Sequence, residues 1–333
     1  MNKKIITLLM VLVLSLGLLS SCGKENVQEE TTAAAKIDIN VAALKGATAI
    51  GMVKMMQDSS NGTTANNYNF NLYGTPDEIT TGLIKGEIDI AALPCNLASV
   101  LYNKTEGEIQ VASINTLGVL YIVETGNQIN SVEDLRGKTI YSTGQGTTPE
   151  YTLNYLLASY GLTVGTDVFV EYKSESAEVA ALLASSNDAI AMLPQPYVAT
   201  AMAQNEAIRI ALDVSEEWEK ITDESTVVTG VLVVRKEFAD ANPKAVKDFL
   251  SEYSSSIDFV NDSTDEVASI VESYDIFTAA IAKKAIPYMN ISYFAGDGMK
   301  EKISGYLKVL FDQNPASVGG SMPEDDFYYF EAE

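Results

Sequence analysis

From residue 36 onward, short apolar runs alternate with stretches of helical spacing. "IDINVAAL" leads to a predicted helix from about Ala47 to Gln57, then come "YNFNLY", a helix opening at "TPDE", and "IDIAAL". Short apolar runs bounded by polar turns mark buried strands, and their strict alternation with helices predicts a mostly parallel sheet covered on both faces. Helix starts are marked at Thr75-Pro76, Thr148-Pro149 and Asn242-Pro243, where a capping residue precedes a proline whose missing N–H is not needed in the first turn.

The alternation restarts after "LGVLYIVE" (Leu117 to Glu124) and runs through "DVFVEY", a helix near Ser176 to Ala184, "AIAML" and "AIRIAL" to about Asp223. "TVVTGVLVVRKEF" follows as a strongly β-prone run, and helical text fills most of the rest from Asn242. The predicted fold is α/β, with two Rossmann-like lobes joined by two crossing strands near Glu124 and Thr226. Lobe one comprises residues 36–124 and 227–333, and lobe two, residues 125–226, is inserted between its parts.

One phrase occurs twice, one hundred positions apart: "IAALPCN" from Ile90 and "IAMLPQP" from Ile190. Each copy reads as a buried strand ended by proline and followed by a helix, so the two are equivalent turns of two lobes. Ligands of open α/β sheets lie beyond the carboxyl ends of the strands, where helix N-termini present free N–H groups. Pro94, Cys95 and Asn96 are therefore expected to face Gln195 and Tyr197 across a cleft. Turns of the same kind add Lys45, Gly46, Ala47 and Thr48, then Asn115 and Thr116, then Gln145, Gly146, Thr147 and Thr148, and finally Thr229. Lys45 is the single cation among them. The set suits a small solute, neutral or singly charged, with a planar ring against Tyr197.

Composition narrows the chemistry. With 333 residues, 47% of them apolar, the chain can bury a large core in two lobes. It has no histidine, so Ser-His-Asp triads, histidine acid–base catalysis and His-ligated zinc are excluded. No DxDxDG-type calcium loop appears either, and neither a catalytic residue, a metal nor a cofactor is expected. The net charge of -23 repels nucleic acid and anionic lipid, which removes both as electrostatic partners.

Lys3 and Lys4 precede an apolar run from Ile5 to Leu19 that ends in "LSSC". The run is shorter than the roughly 20 residues that span a bilayer, and it reads as a signal peptide over residues 1–21. The ending resembles the lipobox of bacterial lipoproteins, which implies lipid on Cys22, with residues 22–35 a polar tether. Cys95 is then left without a disulfide partner and reads as a core or pocket-edge residue.

Longer phrases carry a family resemblance. "INSVEDLRGKTIYSTGQGTTPEYTLNYLLASYGL", "GEIDIAALP" and "NDAIAMLPQPYV" resemble segments of ABC-importer solute-binding lipoproteins of the nitrate/sulfonate/taurine and thiamine-pyrimidine-precursor type, over Ile37 to Phe330. The resemblance implies a type II periplasmic-binding-protein fold, capture of a solute, and delivery to an ABC permease and its ATPase. It implies a protein without enzymatic activity, held on the extracytoplasmic face of the cell membrane and expected to be monomeric. The sequence departs from the family where "EP" is replaced by Gln195-Pro196, so the acidic group that some members offer is absent. Two other readings remain at this point: an enzyme on the same fold, of a pyrimidine-forming type that needs histidine, and a surface sensor or adhesin working without a transporter.

Overall fold

The computed structural model describes residues 35–331; the signal segment, Cys22 and nearly all of the tether lie outside the described residues. The first lobe is built from β1 (Asp38–Leu44), α1 (Ala47–Ile50), α2 (Val53–Ser60), β2 (Asn67–Tyr73), α3 (Pro76–Lys85), β3 (Ile90–Pro94), α4 (Cys95–Lys104) and β4 (Ile109–Leu117). The second takes β5 (Leu120–Thr125), β6 (Thr139–Ser142), α5 (Thr148–Ser159), β7 (Phe169–Tyr172), α6 (Ser176–Ser185), β8 (Ile190–Pro194), α7 (Tyr197–Gln204), β9 (Ile208–Asp213) and α8 (Val214–Glu219). The chain returns with β10 (Val228–Arg235), α9 (Lys236–Ala241), α10 (Pro243–Asp262), α11 (Thr264–Ser273), α12 (Ala279–Ala285), β11 (Ile291–Phe294) and α13 (Gly296–Gln313).

The two sheets follow one plan. Their strand orders are β11-β4-β10-β3-β1-β2 and β7-β6-β8-β5-β9. Matching β1, β2, β3 and β4 to β6, β7, β8 and β9 makes β10 the counterpart of β5. In each sheet, the strand that arrives from the other lobe is inserted between the third and fourth. It runs antiparallel to both neighbours: β10 to β3 and β4, β5 to β8 and β9. The sheets are therefore mixed rather than mostly parallel, because a chain crossing between lobes enters its new sheet in the opposite direction.

The first crossing also differs from expectation. β5 belongs wholly to the second sheet, so the chain changes lobes at Gly118 and Val119, not at Glu124. The apolar run from Leu117 to Glu124 hides the change, since both strands are buried. Gly118 is its one local sign: a Cβ there would fall 1.7 Å from Ser215 Oγ, so the crossing passes too close to α8 for any side chain. The return lies between Glu219 and Val228.

Alternation along the strands feeds a core on each face of each sheet. In β1, Ile39, Val41 and Ala43 join the core under α2 and α10, whereas Ala42 points to the face packed by α4 and α13. Ion pairs of buried carboxylates with partly exposed arginines tie down the ends of the sheets away from the turns of interest. Asp89 pairs with Arg235 at 2.9 Å and accepts the N–H of Asn40, and Glu124 pairs with Arg209 while accepting the N–H groups of Gln128 and Ile129. This leaves the opposite ends of both sheets to be shaped by the helix starts.

Candidate ligand-binding cleft

Strand register brings the sequence-predicted turns together. Pro94 lies opposite Gly230, and Gly230 opposite Thr116, so the ends of β3, β10 and β4 form one row. β1 pairs with β3 and sets residues 45–48 beside that row. In lobe two, Pro194 lies opposite Leu120, and β6 pairs with β8, which brings the loop before α5 next to the start of α7.

The two rows meet. Asn96, fully buried, donates through Nδ2 to the carbonyls of Ser317 at 3.0 Å and Gly146 at 3.5 Å, and its Oδ1 accepts from the Thr148 hydroxyl at 3.1 Å. Further along this flank the hydroxyls of Thr152 and Tyr306 are 2.6 Å apart. Trp218 of α8 lies between Tyr155 and Tyr306, with ring centroids at 4.4 and 5.6 Å, and its indole N–H donates to the Ser225 carbonyl. On the other flank the Tyr197 ring stands edge-on to Phe277 at 5.2 Å, and the Tyr121 hydroxyl donates to the Tyr288 carbonyl.

Several of the predicted side chains are engaged within the protein. Asn96 and Thr148 bind one another across the lobes. Gln195 is buried, its Oε1 accepting the N–H of Ala199 in its own helix and its N–H donating to Val119. The hydroxyls of Thr48 and Thr147 close their own turns onto Leu44 and Gly144, and the Gly146 N–H donates to the Glu150 carboxylate. Lys45 and Gln145 are exposed, while Pro94 caps α4 and Ala47 is buried in α1. Cys95, expected to line the cleft, is fully buried in the core that holds Tyr306, and burial pushes its thiol well above the usual range, so it stays protonated.

A different group stays open. Both amide atoms of Asn115 and the hydroxyls of Thr116 and Thr229 are buried without a hydrogen-bond partner. Asn115 is 1% exposed and Thr116 is 0% exposed. An unpaired buried polar group costs about 1–3 kcal/mol, so a polar group bound at these strand ends would relieve that cost. Close packing surrounds it: a Cβ on Gly230 would lie 2.5 Å from Asn115 Oδ1 and 2.9 Å from Thr48 Cγ2. Gly46 contributes bare backbone nearby. It is buried with φ of 149°, yet no heavy atom lies within 4 Å of where its Cβ would be.

Gly230 and Tyr253, whose buried hydroxyl also lacks a partner, were not among the sequence-predicted residues. Tyr253 occupies an apolar-face position of α10 and reads as core, and Gly230, which ends "VVTG", carries no side chain to mark it. Two surface hollows of about 420 and 290 Å³ lie elsewhere, one beside Asn71, Glu78 and Glu87, the other beside Lys54, Asp58 and Glu252. Neither includes a sequence-predicted residue. Among the described residues, no cluster of His, Cys, Asp or Glu is arranged to hold a metal, and no helix is long and apolar enough to cross a membrane.

A family model described as "ABC transporter, phosphonate, periplasmic substrate-binding protein" matches residues 61–283. The chain belongs to that family. This binding protein is thus the periplasmic substrate-binding component of an ABC importer, as the resemblance implied. Solved structures agree in fold. An ABC transporter protein from Parabacteroides distasonis is 23% identical with a TM-score of 0.73, covering 88% of this chain and 99% of its own. The periplasmic aliphatic sulphonate binding protein SsuA from Escherichia coli is 13% identical with a TM-score of 0.71, covering 89% and 93%. A sequence comparison with curated proteins finds no match.

Proposed function

We propose that the binding protein captures a small organic solute, neutral or singly charged, between its lobes and hands it to the permease and its ATPase without altering it chemically. The observation that carries this reading is the neutral character of the open polar cluster, Asn115, Thr116 and Thr229, with Lys45, the one cation of the candidate set, exposed. A dianion buried there would rest on backbone N–H groups and neutral hydroxyls alone, an expensive transfer from water. The family's description names phosphonate, and the name of the Escherichia coli neighbour names a sulphonate, which is singly charged and falls within the proposed class.

The lobes act as a clamshell that closes on the ligand, and a lipid on Cys22 holds the monomer at the extracytoplasmic face of the cell membrane. Several acyl chains at about 0.8 kcal/mol per buried methylene give stable anchoring. Cys22→Ala should then release the protein from membranes with binding intact, and retention of that variant would refute the anchor.

Mass spectrometry of molecules released from natively purified protein, followed by a thermal-shift screen, tests the ligand class. A true ligand at 100 times its Kd adds about 2.7 kcal/mol of stability. For that ligand, Tyr197→Ala should weaken binding more than Lys45→Met in calorimetry. If Lys45→Met abolishes binding and Tyr197→Ala is silent, the site is an anion site.

A further inference from the structure

Tyr253 lies on α10, in a segment without a recognisable motif, and is 0% exposed. Ser256, three residues on and therefore on the same helix face, donates to the Gly51 carbonyl at 2.8 Å and accepts the N–H of Met55 at 3.3 Å. These bonds seat α10 under the junction of α1 and α2. The Tyr253 hydroxyl is thereby brought within 3.5 Å of the position a Cβ on Gly51 would take. Its ring is fixed between Phe249 at 6.0 Å and the edge-on ring of Tyr293 at 6.3 Å. The hydroxyl stands beside the Asn115 amide, which holds its proton affinity down slightly against the much larger upward push of burial, so the phenol remains neutral. The contact is not a completed hydrogen bond, since neither the hydroxyl nor either amide atom of Asn115 has a partner of good geometry.

A buried phenol and a buried amide side by side, both with unused hydrogen-bonding capacity, make poor core and good recognition surface. On the other side of the amide, Asn115 Oδ1 fills the space over Gly230, so the amide is held between a residue with no side chain and a ring that cannot turn.

We infer that Tyr253 is a specificity-determining residue of the cleft, which with Asn115 reads a neutral polar group of the solute, such as a carboxamide, ring amide or hydroxyl. The inference rests on the ligand reading above and adds a residue and a chemical group to it. An amide and a phenol together supply donors and acceptors, which match a group carrying both, whereas an oxyanion could use only the donors.

The test compares the full mature chain with its Tyr253→Phe variant, both freed of ligand by unfolding and refolding. Thermal midpoints are measured alone and with nicotinamide, uracil or sulfate. The unliganded Tyr253→Phe midpoint should equal or exceed that of the wild type, because a hydroxyl with no partner is removed. A neutral probe should raise the wild-type midpoint and bind about tenfold more weakly to the variant. A fall of more than about 2 °C in the unliganded variant would show a structural hydroxyl and overturn the inference. Neutral-probe binding unchanged in the variant would overturn it equally, with the wider ligand reading intact. Stabilisation of the wild type by sulfate, a dianion, alone would instead refute the ligand reading itself. If neither neutral probe shifts the wild type, recognition of a carboxamide or ring amide by Tyr253 and Asn115 is overturned.

Discussion

β3 and β8 share a sequence pattern, a burial pattern and a place in their sheets, yet the residues that follow them take different roles. In lobe one the helix starts at Cys95 directly after Pro94, which puts Asn96 within reach of the other lobe. In lobe two Gln195 and Pro196 intervene before α7, and Gln195 turns back to bond its own helix. The partners across the two prolines differ as well. Gly230 faces Pro94 and leaves room for Asn115, whereas Leu120 faces Pro194 and fills the core. A repeated strand produces a repeated edge; the residues on either side of it decide which edge keeps open polar groups. Here the cluster of Asn115, Thr116 and Thr229 is on lobe one, while lobe two keeps the buried Tyr172 hydroxyl at the end of β7.

Making the two edges alike should damage the site most. Gly230→Leu places a side chain where Asn115 Oδ1 now sits, 2.5 Å from the Cβ position. Ligand affinity measured by calorimetry should fall about 100-fold or more. Urea unfolding should show a loss of about 1–3 kcal/mol from overpacking. Wild-type affinity in that variant would mean that Asn115 does not meet the ligand.

Next in size is the contact between the lobes. Asn96→Ala leaves the Thr148 hydroxyl and the Ser317 carbonyl without their bonds in a buried place. A loss of about 2–3 kcal/mol in urea is expected, together with a larger radius of gyration by X-ray scattering of the unliganded protein. Equal scattering would confine Asn96 to stabilising lobe one alone.

The smallest effect across ordinary conditions is that of pH. The chain has no histidine to titrate near neutrality. Burial raises the phenols of both lobes and of the seam, among them Tyr121 and Tyr172, Tyr253 and Tyr306, with Tyr102 and Tyr293 pushed up to about 12. A raised phenol pKa in the folded state contributes stability that is complete below the unfolded value of about 10 and is lost as pH rises through the folded one. Thermal midpoints should therefore vary little from about pH 6 to 9 and fall steeply above about pH 10. A marked drop between pH 6 and 8 would contradict this.

Much of the architecture was legible in the sequence because it is written in periodicity. The repeated phrase marked β3 and β8, and the Thr-Pro and Asn-Pro pairs marked the starts of α3, α5 and α10, with α5 beginning one residue early at Thr148. The first crossing was hidden because two buried strands in succession look like one. Within the cleft, the turns could be located, but not the partners of their side chains. Thr48, Thr147 and Gln195 serve their own turns, a competition between local and distant hydrogen bonds that sequence pattern does not resolve. Tyr253 reached the site through a helix whose apolar spacing reads as ordinary core.

Trp218 is the chain's single tryptophan, and it sits at the seam, held between Tyr155 of one lobe and Tyr306 of the other. Its emission is therefore free of contributions from any other indole and reports on packing against one ring from each lobe. Rapid mixing with ligand, followed by the change in that emission, would time closure and release in the unlabelled, unmodified protein.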